Sequence, residues 1–286
     1  MGLAFSLATG VIAHPGSGIA VDRQGIVYFA DTGGGVWMID MNGRVSRIHD
    51  SKFHWLALDP DGRFGAGRPP SNAYGDFVRT HSDPTVISSS DVPIVIGEDG
   101  AAYYPERGGP DGRLQIVRWT TAGARSIFAL LPAQTDSGPL QWINGLAAGS
   151  GGSLYYTEDK AVRKIDTRGA VSAVATNVTV SGCVSIPGNE PASGALLRGL
   201  AASGDGNIYV AAAGCAAVLK IGPAGDVTPV HRTTAPWAPT AVALHGQDIF
   251  VLEYLHTAAE DRQAWIPRVR QLRADGTSRL LATITR

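Results

Sequence analysis

Apolar and polar positions along this chain recur as one unit: a short, almost wholly apolar run, a glycine-bearing turn, and a second apolar run rich in aromatics. Five copies stand at Gly18–Phe29, Pro93–Tyr104, Gly145–Tyr156, Gly199–Val210 and Thr240–Val251. A sixth, Trp55–Phe64, keeps the first run and the turn but has a weaker second run. A third run and turn follow each unit, as in Val36–Asp40 with Asn42-Gly43, and then a fourth short run such as Val45–Ile48. Four short strands in a repeat of roughly 40 residues are the mark of a propeller blade. The first strand is small and apolar on both sides, as in Gly199-Leu200-Ala201-Ala202, which suits the crowded inner position. The pattern predicts an all-β, six-bladed β-propeller of four-stranded antiparallel blades, one domain over residues 1–286. Its blades fall at approximately 13–50, 51–90, 91–130, 143–176, 197–231 and 238–285. Ser278–Ile284 reads as the fourth strand of the last blade and Leu3–Ile12 as a further strand, so either one is a candidate to close the ring.

Strand order then separates two faces. The turns after the first and third strands of each blade share one face and are short, as in Asp22–Gly25, Asp59–Gly62 and Thr121–Gly123. The long segments all belong to the other face: Gly65–Asp76, Glu106–Arg113, Ala129–Ile143, Thr176–Leu197 and Tyr254–Ile266. Long loops gathered at one end of a rigid scaffold predict that function lies there, around a central pocket.

Two columns of residues mark that end. Immediately before the inner strands stand Ser17, His54, Val92, Asn144, Arg198 and Pro239, four of them polar in an otherwise apolar setting. Convergent polar groups on an apolar scaffold are what small-molecule sites look like. One strand outward stand Asp31, Arg68, Glu106, Glu158, Ala212 and Glu253. The acids Asp31, Glu106, Glu158 and Glu253 suit a bound cation or acid–base work, and equally suit capping of loop amides. Trp142 and Trp237 each lie two residues before the inner column and suit a planar ligand, with packing between blades as the competing role. His54 and Arg198, with Glu158 beside them, form the candidate catalytic group; His14 is the next histidine by position.

Composition narrows the partners. With 24 basic and 25 acidic residues the chain has no excess of positive charge for nucleic acid. No apolar run reaches the roughly 20 residues of a membrane-spanning helix. Leu3–Ala13 has no basic stretch before it and reads as a strand, not an export signal. No phosphate-binding loop, paired Cys-x-x-Cys or metalloprotease helix is present, so no nucleotide or redox cofactor is expected. The expected partner is a small molecule bound by a monomer. The two cysteines, Cys183 and Cys215, both fall on the long-loop face of the fifth blade, and a disulfide between them is expected. That bond favours an extracytoplasmic or periplasmic location.

The blade pattern resembles NHL-repeat propellers and the gluconolactonase–regucalcin (senescence-marker protein) superfamily over nearly the whole chain. The resemblance is sharpest at Ile143-Asn144-Gly145-Leu146-Ala147, followed by Leu154–Asp159 and Val162–Asp166. In gluconolactonases the matching asparagine binds the catalytic divalent metal, so the resemblance implies Asn144 as a ligand to a cation such as Ca²⁺. Two other positions of that metal set are Ser17 and Arg198 here. Leu154–Glu158 is also similar to a strand of virginiamycin B lyase. The resemblance implies a hydrolase of the lactonase or esterase type. A non-catalytic propeller for an anionic or sugar-like ligand, a lyase of the virginiamycin B lyase type and a protein-interaction scaffold remain alternatives.

Overall fold

The structure, a computed structural model, describes residues 15–59, 61, 62, 64, 77–80, 84–108, 112–133, 142–183, 194–255 and 264–285. It is a six-bladed β-propeller. The first blade is β1 (Ile19–Val21), β2 (Val27–Asp31), β3 (Gly35–Ile39) and β4 (Val45–His49), paired antiparallel in that order. The third is β8 (Val95–Ile96), β9 (Ala102–Arg107), β10 (Leu114–Trp119) and β11 (Arg125–Leu130). The fourth is β12 (Gly145–Ala148), β13 (Leu154–Thr157), β14 (Val162–Ile165) and β15 (Val171–Ala175). The fifth is β16 (Leu197–Ala202), β17 (Ile208–Ala212), β18 (Ala217–Ile221) and β19 (Val227–Arg232). The sixth is β20 (Trp237–His245), β21 (Asp248–Leu255), β22 (Ile266–Leu272) and β23 (Ser278–Thr283).

The second blade differs. Its described strands are β5 (Trp55–Asp59), β6 (Phe77–Arg79) and β7 (Thr85–Ser89), in the spatial order β5-β7-β6. Phe64, from the expected weak second run, lies in none of the described strands. Phe64 is buried, its amide bonded to Asp59 Oδ2 at 2.7 Å and its ring 4.7 Å from that of Trp119 in the third blade. The place beside β5 goes to β7, whose Val86-Ile87 pair is β-branched and wholly buried.

Side-chain alternation builds the core as layers between blades. In β2, Val27 and Phe29 join a cluster with Leu252 and Val269 of the sixth blade, while Tyr28 and Ala30 join Leu56 and Val86 of the second. Every residue of β2 is buried, as a strand covered on both faces requires. Ring closure uses no exchanged strand among the described residues. β23 completes the sixth blade, and the seam with the first is held by Tyr254 Oη to the Ala30 carbonyl (2.8 Å) and Thr240 Oγ1 to the Gly16 carbonyl (2.7 Å). Leu3–Ile12 lies outside the described residues, as do Gly65–Asp76 and residues 109–111, 134–141, 184–193 and 256–263 of the other long segments.

Inner strands crowd where they begin. A Cβ on Gly18 would lie 2.6 Å from the Leu56 nitrogen, and one on Gly199 would lie 2.6 Å from the Ala241 Cβ and 3.1 Å from the Ser17 carbonyl oxygen. Farther along the strands the channel widens. A cavity of about 370 Å³ runs beside the inner strands, and a vestibule of about 480 Å³ opens on the short-turn face between Arg23, Glu98 and Ser203.

Candidate functional site

At the narrow end, the inner column ties neighbouring blades together. Ser17 donates its backbone N–H to the His54 carbonyl at 2.8 Å, joining the first and second blades. Both residues are about 5% exposed, and the Ser17 hydroxyl makes no hydrogen bond among the described residues. His54 Nδ1 bonds the Ser90 carbonyl. A carbonyl oxygen only accepts, so Nδ1 carries the hydrogen and Nε2 is the basic nitrogen of the neutral ring.

Asn144 joins the fourth and fifth blades. Its Nδ2 donates to Asp159 Oδ1 at 2.8 Å and to the Leu197 carbonyl at 3.0 Å. Thr157 Oγ1 donates to the Arg198 carbonyl at 2.7 Å beside it. Arg198 itself sits in a β-bulge: Leu197 faces Ala212 and Leu200 faces Val210, so Arg198 and Gly199 together oppose the single residue Ala211. A bulge adds a residue to one strand and re-aims its side chain. Burial pushes the Arg198 guanidinium below its ordinary value, and the Asp159 carboxylate opposes that shift. A second bulge lies in β20 between Pro239 and Ala241, and it frees Thr240 to bond the first blade. Neither bulge is visible in the repeat pattern, since Arg198-Gly199 before Leu200-Ala201-Ala202 matches Asn144-Gly145 before Leu146-Ala147-Ala148, where the first strand pair has no register shift.

The glutamates of the second column pair with arginines of their own blades, and Glu253 is reached from the fifth blade as well, by Thr233 and His231. Glu106 pairs with Arg125 at 2.6 Å, Glu158 with Arg163 at 2.8 Å, and Glu253 with Arg268. Asp31 accepts from the Gly33 amide at 3.0 Å and Trp37 Nε1 at 3.2 Å. These carboxylates occupy equivalent positions in different blades without converging. Among the described residues no three His, Cys, Asp or Glu side chains come together as a metal-binding group. Arg68 and His14 lie outside the described residues.

The tryptophans separate. Trp237 carries the Arg268 guanidinium over its ring at 3.9 Å, and Trp55 is buried between the second and third blades. Trp142 is 41% exposed and borders a narrow crevice between the third and fourth blades. Cys183 and Cys215 form the expected disulfide, their Cα atoms 4.6 Å apart. It fastens the segment after β15 to the turn after β17, where Ala213 and Gly214 amides bond the Leu196 and Ala195 carbonyls just before Arg198. The bond is compatible with an extracytoplasmic location. Among the described residues no helix is long and apolar enough to cross a membrane.

No family model matches the chain, and no curated protein matches it. Solved structures do. Virginiamycin B lyase from Staphylococcus aureus is similar at 17% identity, over 92% of this chain and 83% of that one, with a TM-score of 0.56. A gluconolactonase from Xanthomonas campestris is similar at 15% identity, over 82% and 81%, with a TM-score of 0.55. Regucalcin from Agrobacterium tumefaciens, a calcium-binding protein, is similar at 15% identity, over 83% and 81%, with a TM-score of 0.54. At such identities the likeness is one of fold, and the chain is a six-bladed β-propeller of the architecture that these lactonase, regucalcin and lyase structures share.

Proposed function

We propose that the protein, as a monomer, binds a small anionic molecule at the narrow end of its channel, with Arg198 as the anchor. The observation that carries this reading is the bulge that sets a guanidinium into the innermost strand of the fifth blade. The residue is half-buried there, and a partly desolvated charge attracts an anion more strongly than one in open water. A planar guanidinium grips a carboxylate through two parallel hydrogen bonds. Ser17, His54 and Asn144 surround the same end with polar groups.

The divalent cation implied for Asn144 does not fit the residues present. Asn144 spends only its amide hydrogens and keeps Oδ1, but Arg198 brings positive charge to the next position of the ring, and among the described residues no group of three His, Cys, Asp or Glu side chains gathers there to complete a ligand set. No step of this reading runs through a metal. A second reading adds hydrolysis of an ester or lactone, with His54, whose ring the Ser90 carbonyl orients through Nδ1, as the general base.

Calorimetric titration with small carboxylates, with and without chelator, tests the proposal. Arg198→Ala is expected to weaken binding tenfold or more, with Arg198→Lys intermediate and chelator without effect. Unchanged affinity in Arg198→Ala overturns the reading. In a parallel screen of esters and lactones, His54→Ala is expected to abolish turnover and retain binding.

A further inference from the structure

We propose that the central channel is a second binding site, entered from the short-turn face, and that it takes a short, uncharged, apolar peptide paired with the edge of an inner strand. The anionic ligand proposed above belongs to the opposite end, and the two sites stand or fall separately. The channel cavity of about 370 Å³ is lined by six runs of three consecutive residues, 19–21, 56–58, 94–96, 146–148, 200–202 and 242–244, and every side chain among them is apolar. Consecutive side chains of a strand point to opposite faces. In the fourth blade Leu146 packs into the layer shared with the third blade, and Ala147 into the layer shared with the fifth. A strand covered on both faces in this way turns its edge to the channel, which is why three neighbours in a row line it.

Among the described residues each inner strand pairs on one side only, β1 with β2, β5 with β7 and so on round the ring. The channel therefore presents apolar surface interleaved with backbone N–H and C=O groups that have no described strand beside them. An aliphatic guest would cover those groups without bonding them, which is unfavourable. An extended peptide bonds them by adding a strand, and its side chains meet the apolar lining.

The dimensions agree. Three residues of strand rise about 10 Å, so three to four residues of ligand match the lining end to end. The volume falls within the roughly 300–1,000 Å³ of ligand pockets. Val21, Leu58, Ile96, Ala148 and Ala202 border both the channel and the vestibule, so the two are continuous. At the mouth Arg23 faces Asp61 at 3.6 Å, Glu98 accepts the Gly152 amide at 3.0 Å, and Asp22 accepts the Gln24 and Ile26 amides at 2.9 Å. Charges of both signs, each engaged nearby, favour an uncharged guest.

The probe is acetyl-Val-Ala-Val-Ala-amide, compared with the same peptide N-methylated at all four residues, by ligand-observed NMR titration and by amide hydrogen exchange of the protein. Wild type is expected to bind the unmodified peptide with slowed exchange in an inner strand, and the N-methylated one at least about tenfold more weakly, because it has lost its backbone donors. Ala148→Leu with Ala202→Leu narrows the throat at two half-buried positions and is expected to weaken the unmodified peptide to a similar degree, with the melting temperature unchanged. If wild type binds neither peptide, or both alike, pairing with the channel edges is refuted, whatever the fold of the double variant. Unchanged affinity in a folded double variant refutes the channel as the place of binding. Neither result bears on Arg198, which is tested with carboxylates.

Discussion

Glu253 shows how a carboxylate that looks functional in the sequence is used by the fold. It has no exposed surface, and around it stand Thr233 Oγ1 at 3.1 Å, the Arg268 Nε, Arg270 Nε at 3.4 Å and His231 Nε2 at 3.6 Å. Burial raises its affinity for a proton, but the neighbouring His231 ring and the charges of Arg268 and Arg270 outweigh it and hold the carboxyl below its ordinary range. A carboxyl with a depressed folded value stabilises the fold above its unfolded value of about 4.3, and that contribution is lost as pH falls through the folded value. Urea unfolding across this acidic range is expected to show wild type losing stability while Glu253→Gln has a flatter profile. At neutral pH the same variant is expected to be less stable by about 3–5 kcal/mol, because two guanidiniums keep their burial and lose their partner. A neutral-pH loss below about 1 kcal/mol would refute this role. The position of Glu253 at the end of the second strand was legible in the repeat, whereas its partners were not, since His231 and Thr233 come from another blade. Asn144 and Ser17 repeat the lesson: periodicity placed them beside the inner strands, and only the structure shows them tying blades together.

Strands read well where two faces are buried and poorly where a turn or bulge decides. The five full blades follow the expected order because each turn carries its own chemistry, as at Asp22 and Asp166, whose Oδ1 atoms accept amides two and four residues on. The second blade departs because Phe64 is taken by a neighbouring blade, a long-range event that leaves no local signature. Five blades also share a register shift between their third and fourth strands, as at Val36/Trp37 and Val218/Leu219, and no sequence period marks it. The glycines that open the inner strands have a use the pattern did show, since those strands are small-residue runs. Gly18→Ala is expected to cost about 1–3 kcal/mol, as the added Cβ meets the backbone of Trp55 and Leu56 within 2.6–3.0 Å. Gly204→Ala, with nothing within 4 Å of the added atom, is expected to be neutral or mildly stabilising. Equal effects in thermal denaturation would show that inner-strand crowding is not the constraint.

Among the described residues each blade is built from its own stretch of chain, and the sixth meets the first by contact between side chains and backbone. The seam between the sixth and first blades has an apolar layer containing Phe29, Ala241, Leu252 and Trp265, but every other interface has such a layer too. What distinguishes the seam is the pair of side-chain hydroxyls, Tyr254 and Thr240, that reach backbone carbonyls 224 residues away in sequence. One of them depends on the bulge in β20, which turns Thr240 toward the first blade. The bulges near the narrow end therefore serve two tasks in adjacent blades: one orients Arg198 and the other fastens the ring that holds it. Tyr254→Phe with Thr240→Val removes both hydroxyls with little change in volume and leaves two buried carbonyls without these donors, at about 1–3 kcal/mol each. Because the loss falls on one seam, hydrogen exchange is expected to accelerate in β1, β2, β20 and β21 before the strands of the third and fourth blades. If protection falls evenly around the ring, closure is shared by all six interfaces and the seam has no special role. If the seam loosens first, affinity for the anionic ligand is expected to fall with it, since Gly199 next to Arg198 packs directly on Ala241 and the Ser17 carbonyl.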